Sequence, residues 1–166
     1  GGFSVAVGQV WGDDRNLIIT GTGIGMAPQI RIFSNDGGVR GQFYAFPKSF
    51  RGGVRVAACD LNGDGTDEIL AAPGKGLLPR VRIFNLAGKR VLAKEIWTLN
   101  NNFTGGISIA CADLDGDNTA EILAAADVGA GQLTVHRASG GRTVSLYPFG
   151  RAYKGGLTVG TTDLDG

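Results

Sequence analysis

Long apolar runs and a surplus of either charge are both missing from this chain of 166 residues, and histidine and methionine occur once each. No apolar stretch approaches the roughly 20 residues of a membrane-spanning helix, so we predict no membrane span. The 16 basic and 15 acidic residues nearly balance, which leaves no basic stripe for nucleic acid and no acidic tail. Net charge therefore does not select the partners of this protein, and we predict no nucleic-acid partner.

A helical period is also missing. No window repeats its apolar residues at helical spacing, and 29 glycines disfavour helices throughout. Short apolar runs are instead separated by glycine, asparagine, aspartate or proline, which is typical of antiparallel strands joined by turns. Between residues 52 and 104 this pattern predicts strands at 54–59, 68–72, 80–84 and 90–97. Residues 80–84 alternate between apolar and polar, which places one face of the strand in a core.

The chain repeats itself three times and begins a fourth copy. Equivalent positions 9, 60, 113 and 163 are 51, 53 and 50 residues apart, and a period near fifty indicates stacked supersecondary units. We therefore predict an all-β fold of β-propeller blades, each of four antiparallel strands. The blades occupy residues 1–51, 52–104 and 105–154, and residues 155–166 are the first strand and loop start of a fourth. A solenoid β-helix is the competing geometry, but its repeat is usually much shorter.

Two loops at the same point of the repeat are rich in side-chain oxygens. Residues 60–65 read DLNGDG, residues 113–118 read DLDGDN, and residues 163–166 begin the same sequence again. Acidic oxygens at alternate positions, with glycine where the backbone turns, suit a hard cation of the calcium type. The alternative is Asx-turn chemistry without an ion, which like-charge repulsion among the carboxylates disfavours. The first unit has lost most of these oxygens, and we predict no metal among its Gln9, Trp11, Asp13, Arg15 and Leu17.

Aromatic residues occupy two fixed places in every unit. One place, 16 residues before the first aspartate position of the next loop, holds Tyr44, Trp97 and Tyr147; the other, 10 residues before it, holds Phe50, Phe103 and Tyr153. Side chains of this size favour packing between blades, with an aromatic ligand platform as the alternative.

Cysteine and histidine are too rare to define a site. Cys59 and Cys111 fall in the same strand of different units, one repeat position apart. On a pleated strand that offset puts them on opposite faces, so we predict small buried apolar residues and no disulfide between them. His136 aligns with Phe33 and Phe84, which indicates a packing or surface role and no role as a general base. Since no hydrolase, zinc-protease or phosphate-loop motif occurs, we predict no enzyme.

These motifs resemble the FG-GAP or VCBS-type repeat of integrin α-chain propellers and many secreted bacterial proteins. The stretches that carry the resemblance are residues 50–53 (FRGG), 60–68 (DLNGDGTDE) and 71–74 (AAPG). The resemblance implies a propeller of six or seven blades with calcium in the loop between the first two strands of a blade. It implies two sites, one formed by Asp60, Asn62, Asp64, the Thr66 carbonyl and Glu68, the other by Asp113, Asp115, Asp117, the Thr119 carbonyl and Glu121. Asn118 replaces a turn glycine of the family, and we expect it to accept a positive φ.

The resemblance also implies a calcium-stabilised, noncatalytic module of a secreted or cell-surface protein, for adhesion, assembly or structural display. A carbohydrate-binding lectin and the scaffold part of a secreted polysaccharide-active enzyme are the alternatives. The expected partners are protein, as further blades, other copies of the chain or a surface assembly, with a glycan as a further candidate. Because three blades and a leading strand cannot close a ring, we expect that the chain is not a free monomer and that protein covers the faces around Phe3 and Tyr153.

Overall fold

The computed structural model describes residues 2–13, 15–92, 94–139 and 141–162, and the regular elements in these residues are all β-strands. They form three antiparallel sheets of four strands, in which strands that are consecutive in the chain lie side by side. Sheet 1 contains β1 (Phe3–Gly8), β2 (Leu17–Thr22), β3 (Gln29–Phe33) and β4 (Val39–Tyr44). Sheet 2 contains β5 (Val54–Cys59), β6 (Glu68–Pro73), β7 (Arg80–Phe84) and β8 (Ile96–Trp97). Sheet 3 contains β9 (Ile107–Ala112), β10 (Glu121–Ala126), β11 (Leu133–His136) and β12 (Arg142–Leu146).

The predicted all-β class and the four-stranded antiparallel units are confirmed. In sheet 2, β5 and β7 have the predicted limits, and β6 extends one residue further, to Pro73. The fourth strand is shorter than predicted: in the residues that the structure describes, the chain makes one bridge between Phe84 and Arg90, and the ladder with β7 resumes at Ile96. Among the described residues no helix is long and apolar enough to cross a membrane.

The sheets stack face to face, with sheet 2 in the middle. β5 packs against β1 and β2, and β9 packs against β5 and β6. The alternation of side chains then divides β6 between two cores: Ile69 and Ala71 belong to the core shared with sheet 1, and Leu70 and Ala72 to the core shared with sheet 3. All six residues of β6 are buried, which explains why the strand is apolar from Ile69 to Pro73, after Glu68.

Equivalent hydrogen bonds join each sheet to the next. A backbone N–H in the turn after the second strand donates to the segment that enters the next sheet: Gly25 to Arg51 (2.8 Å), Gly76 to Thr104 (2.9 Å) and Gly129 to Lys154 (3.2 Å). At the opposite end, Asp67 N–H donates to the Gln9 carbonyl (3.2 Å), and Ala120 N–H donates to the Asp60 carbonyl (2.9 Å). The step from sheet 1 to sheet 2 is therefore repeated from sheet 2 to sheet 3.

Residues 155–162 lie on sheet 3 in the same way that the first strand of one sheet lies on the sheet before it. Val159 N–H donates to Ser108 Oγ at 3.1 Å, just as Val56 N–H donates to Ser4 Oγ at 3.1 Å. These described residues form no strand ladder of their own. The predicted loop start at residues 163–166 lies outside the described residues, and the repeat boundaries stay predictions.

The aromatic residue and the two glycines before each first strand form a tight corner. A Cβ on Gly52 would lie 2.3 Å from Cζ of the Phe50 ring, and a Cβ on Gly105 would lie 2.5 Å from Cζ of Phe103. The second glycine, Gly53, has φ of +83° and approaches the backbone of Gly23 in the preceding sheet, at 2.9 Å from an added Cβ. Only glycine fits both the dihedral angle and the space.

The prediction that Tyr44 and Trp97 pack between blades is wrong. Both side chains are 40% exposed. They end the outermost strands of sheets 1 and 2, whereas consecutive sheets approach one another through their first two strands. Tyr44 and Trp97 pair with Gln29 and Arg80, on the strand face opposite to the buried residues Ile30 and Val81.

Cys59 and Cys111 form a disulfide with a Cα–Cα distance of 6.2 Å, so the prediction of unlinked cysteines is also wrong. The two residues do lie on opposite faces of equivalent strands. Because the sheets stack face to face, however, the face of β5 that looks toward sheet 3 meets the face of β9 that looks toward sheet 2. An offset of one position therefore brings the two sulfurs together. Between sheets 1 and 2, Gly8 is at the position of Cys59 and Ala58 is at the position of Cys111. A Cβ on Gly8 would lie 2.6 Å from Ala58 Cβ.

We expect the double variant Cys59→Ala/Cys111→Ala to lose roughly 2–5 kcal/mol of unfolding free energy, because the disulfide restricts the unfolded chain across 52 residues. Urea denaturation with and without reductant measures the loss. Reductant should lower the midpoint of the natural chain to that of the double variant and leave the variant unchanged. A natural chain whose midpoint is insensitive to reductant would contradict the prediction.

Candidate metal centre

The second loop, residues 60–68 between β5 and β6, wraps around the carboxylate of Asp60. Its Oδ1 accepts hydrogen bonds from the N–H groups of Asn62 (3.1 Å) and Gly63 (2.7 Å), and its Oδ2 accepts one from Gly65 (2.7 Å). Burial raises the pKa of Asp60, but the backbone donors outweigh it and hold the pKa below its usual value. The loop therefore presents a carboxylate that is firmly ionised.

A second carboxylate lies beneath this loop. Glu68 is 7% exposed, and its Oε2 accepts a hydrogen bond from Leu61 N–H at 3.0 Å. Asn62 Nδ2 donates to Oε1 at 3.2 Å. Burial raises the pKa of Glu68, and the charges of Asp64 and Asp60 raise it further. A cation in the loop would relieve this accumulation of negative charge.

The third loop, residues 113–121 between β9 and β10, has similar turns and carries Asp115 where the second loop has Asn62. Asp113 accepts hydrogen bonds from Gly116 N–H (2.7 Å) and Asn118 N–H (2.8 Å). Asn118 has φ of +66°, as expected for the residue that replaces the turn glycine. Oxygen atoms of Asp113, Asp115 and Asp117 lie within 4.8 Å of one another. Three carboxylates at this spacing are a suitable donor set for a hard divalent cation.

Glu121 adds a buried oxygen to the third loop. The residue is 3% exposed, and Oε2 accepts a hydrogen bond from Leu114 N–H at 3.1 Å. Oε1 is buried and accepts no hydrogen bond from the described residues. Arg137 Nε lies 3.5 Å from Oε1, and the same guanidinium also pairs with Asp115. The residues of this loop thus fit a cation, but Arg137 supplies part of the positive charge itself.

Arg137 is the residue of the candidate site that the sequence reasoning missed. Its place in the repeat, directly after the third strand, holds Asn85 in sheet 2 and Ser34 in sheet 1. The third strand ends beside the loop that joins the first two strands, so a charged residue there reaches the candidate ligands. Alignment of the three units at this position would have revealed the difference.

The first loop, residues 9–17, has a different arrangement. Arg15 Nε donates to Asp13 Oδ2 at 2.8 Å. Leu17, at the position of Glu68 and Glu121, is 4% exposed and belongs to the core between sheets 1 and 2. An apolar side chain therefore fills the place of the buried carboxylate, and Asp13, the acidic residue of this loop that the structure describes, already has a cationic partner.

The structure brings the predicted ligands together to different degrees. In the third loop Asp113, Asp115 and Asp117 form one cluster, and Arg137 connects Asp115 with Glu121. In the second loop, hydrogen bonds connect Asp60, Asn62 and Glu68, and Asp64 Oδ1 accepts from Thr66 N–H at 2.8 Å. Thr119 N–H donates to Asp117 Oδ1 at 2.9 Å. The roles of the Thr66 and Thr119 carbonyl groups stay predictions.

The chain matches no protein-family model, and a search of curated proteins finds no match. The choice of metal is therefore inferred from the ligand atoms that the two loops themselves offer. These donors are carboxylate, amide and carbonyl oxygens, which favour calcium over the softer transition metals because cysteine sulfur and histidine nitrogen are both absent from the loops.

We expect Arg137→Gln to strengthen calcium binding at the third loop by up to about fivefold, the equivalent of the roughly 0.2–1 kcal/mol typical of an exposed ion pair. The substitution removes a guanidinium that competes with the cation for Asp115 and Glu121. Calorimetric titration with calcium measures the affinity. Arg151→Gln, at the other end of the molecule, is the matched control and should leave the affinity unchanged. Equal or weaker binding by Arg137→Gln would contradict the prediction.

Proposed function

We propose that this chain is a calcium-stabilised, noncatalytic β-propeller module of a secreted or cell-surface protein, which serves adhesion, assembly or structural display. The observation that carries the proposal is the carboxylate cluster of Asp113, Asp115 and Asp117, at the end of the hairpin that joins β9 and β10. A cation bound there would tie together two strands of a short sheet. Its role would be structural, because a short four-stranded sheet has a small core and a bound ion would add to its stability.

The repeated step between sheets supports the propeller arrangement. A propeller is built from four-stranded meanders that pack on one another, and the same contacts recurring from sheet to sheet are what such an arrangement requires. Val54 and Val56 of sheet 2 are buried against sheet 1, whereas their equivalents Phe3 and Val5 are 73% and 57% exposed. An apolar face of this kind favours a protein partner, either a further sheet or another copy of the chain.

The disulfide supports a location outside the cytoplasm. Cys59 and Cys111 are joined, and disulfides form and persist mainly in oxidising compartments such as the extracellular space. A structural disulfide and structural calcium also serve the same purpose, because both stabilise a domain whose individual sheets have small cores.

The environment of the only histidine supports a noncatalytic role. His136 is 1% exposed, and its Nε2 lies 3.2 Å from the carbonyl oxygen of Thr98. A ring held in this way cannot contact a substrate in solution. Its position, equivalent to Phe33 and Phe84, is a packing position in sheet 2, where Phe84 belongs to the core.

We expect calcium to raise the thermal midpoint of the chain through two sites. A ligand that binds only the native state adds about 2.7 kcal/mol of stability at about a hundred times its dissociation constant. Differential scanning calorimetry with calcium and with chelator measures the difference. Asp64→Ala and Asp117→Ala should each reduce the number of calcium ions bound per chain by one, and the matched control Asp13→Ala should not change it. Identical midpoints with calcium and with chelator would refute the proposal.

We expect the chain to associate at micromolar concentration, because the apolar outer face of sheet 1 is exposed. Val5→Arg should shift light scattering toward a smaller particle, since a charge at the centre of this face opposes its burial. Val91→Arg, a substitution of another exposed valine outside this face, is the control and should leave the particle size unchanged. A stable, well-folded monomer in the natural chain would contradict the prediction.

A further inference from the structure

The balanced net charge of the chain conceals a separation of charge between the two ends of the sheets. One end carries the loops after the first and third strands, and most of the described acidic residues lie there: Asp13, Asp36, Asp60, Asp64, Asp67, Glu68, Asp113, Asp115, Asp117 and Glu121. At the opposite end the described acidic residues are Glu95 and Asp127, and both are already paired with arginines of their own surroundings.

The opposite end is basic. Its exposed cations, which define the basic end, are Lys48, Arg51, Lys75, Arg151 and Lys154. Lys75 lies in the turn after β6, and Arg51 and Lys154 lie in the segments whose carbonyls accept hydrogen bonds from the turns of the preceding sheets. Within the part of the chain that the structure describes, none of the five forms an ion pair with a carboxylate. Their charge is therefore available to a partner.

An aromatic ring with a cation stacked on it occurs at this end of every sheet. Lys48 Nζ lies 4.6 Å from the ring centroid of Tyr44, Arg80 Cζ lies 4.8 Å from that of Trp97, and Arg151 Cζ lies 4.2 Å from that of Tyr147. The three rings occupy the same position of the repeat, at the end of the outermost strand. The pairs on sheets 1 and 3 combine an apolar plate with a positive charge that no described carboxylate neutralises, whereas Arg80 of sheet 2 is already paired with Glu95.

We propose that the basic end binds an acidic polysaccharide, a chain of sugar rings that carry carboxylate or sulfate groups. The apolar face of a sugar ring packs on an aromatic ring, while the cation beside it pairs with the anionic group of the same or the next sugar. The pairs on sheets 1 and 3, with the exposed Lys75 of sheet 2 between them, match a polymer whose groups also repeat. The disulfide favours this class over nucleic acid, since it indicates the oxidising surroundings in which such polysaccharides occur. The surface is separate from the cation loops, so binding does not require calcium.

Immobilised heparin, a sulfated polysaccharide, is the probe, with neutral dextran as the blank. We expect the natural chain to bind heparin in chelator as well as in calcium. Raising the salt from about 50 to about 200 mM should weaken binding roughly tenfold, because each ion pair releases counterions from the polyanion. Binding that appears only with calcium would assign the interaction to the acidic loops and overturn the proposal.

Matched variants locate the surface. Lys48→Gln/Lys75→Gln/Lys154→Gln should weaken heparin binding at least about tenfold, the loss expected when three ion pairs with a polyanion are removed. Arg15→Gln/Arg40→Gln/Lys89→Gln makes the same change of charge at the acidic end and should have no effect. An equal loss in both variants would mean that net charge alone drives the binding, and would overturn the proposal.

A second pair of variants tests the aromatic plates. Tyr44→Ala should weaken binding several-fold, whereas Trp11→Ala, which removes an exposed aromatic ring stacked with Arg15 at the acidic end, should not. The same proteins are then tested against duplex DNA and against vesicles that contain phosphatidylserine. If either binds as tightly as heparin with the same dependence on Lys48, Lys75 and Tyr44, the assignment to polysaccharide is wrong. Failure to bind heparin at all would overturn it too, and calorimetry with calcium would still test the structural role separately.

Discussion

The packing of each sheet on the next through its first two strands is the contact on which this structure depends. A single sheet of four short strands buries little apolar surface by itself, and sheet 2 shares a core with each neighbour, because Ile69 and Leu70 belong to the cores on its opposite sides. The short distance between sheets restricts the size of the residues where the chain enters each new sheet. Gly53 is required where the chain passes the backbone of the preceding sheet, and the ring of Phe50 leaves room for no more than a hydrogen at Gly52.

The same contact determines where the candidate cation sites lie. Cys59 and Cys111 form a disulfide because their sheets face one another. Cys59 directly precedes the second loop, and one residue separates Cys111 from the third loop. Ala120 N–H donates to the Asp60 carbonyl, so the two loops are also joined through their backbones. Two neighbouring loops rich in carboxylates repel one another. Backbone N–H groups that donate to the carboxylates reduce this repulsion, and in the third loop so does the guanidinium of Arg137. A divalent cation in each loop would offset part of the remaining charge.

Local sequence patterns predicted the strands and the loops well, because alternation and turn residues act over a few positions. The limits of β5 and β7 and the positive φ of Asn118 are examples. The disulfide and the exposure of Trp97 could not be read in this way, since both depend on which face of a strand meets a neighbouring sheet. A strand's alternation separates its two faces but does not say what each face contacts. Arg137 was missed for a related reason: it reaches the third loop from a different strand.

The separation of charge shows how a repeat amplifies a small preference. In an antiparallel meander, the turns after the first and third strands lie at one end, and the other connections lie at the opposite end. A carboxylate favoured in one turn recurs in every unit at the same end, and lysine or arginine recurs at the other end near two of the three Gly-Gly corners, at Arg51 and Lys154. Summation over the chain cancels these charges, so composition alone suggests a neutral surface. Because the two ends are about one strand length apart, which exceeds the screening length at physiological salt, each can serve a different ligand with little electrostatic interference from the other.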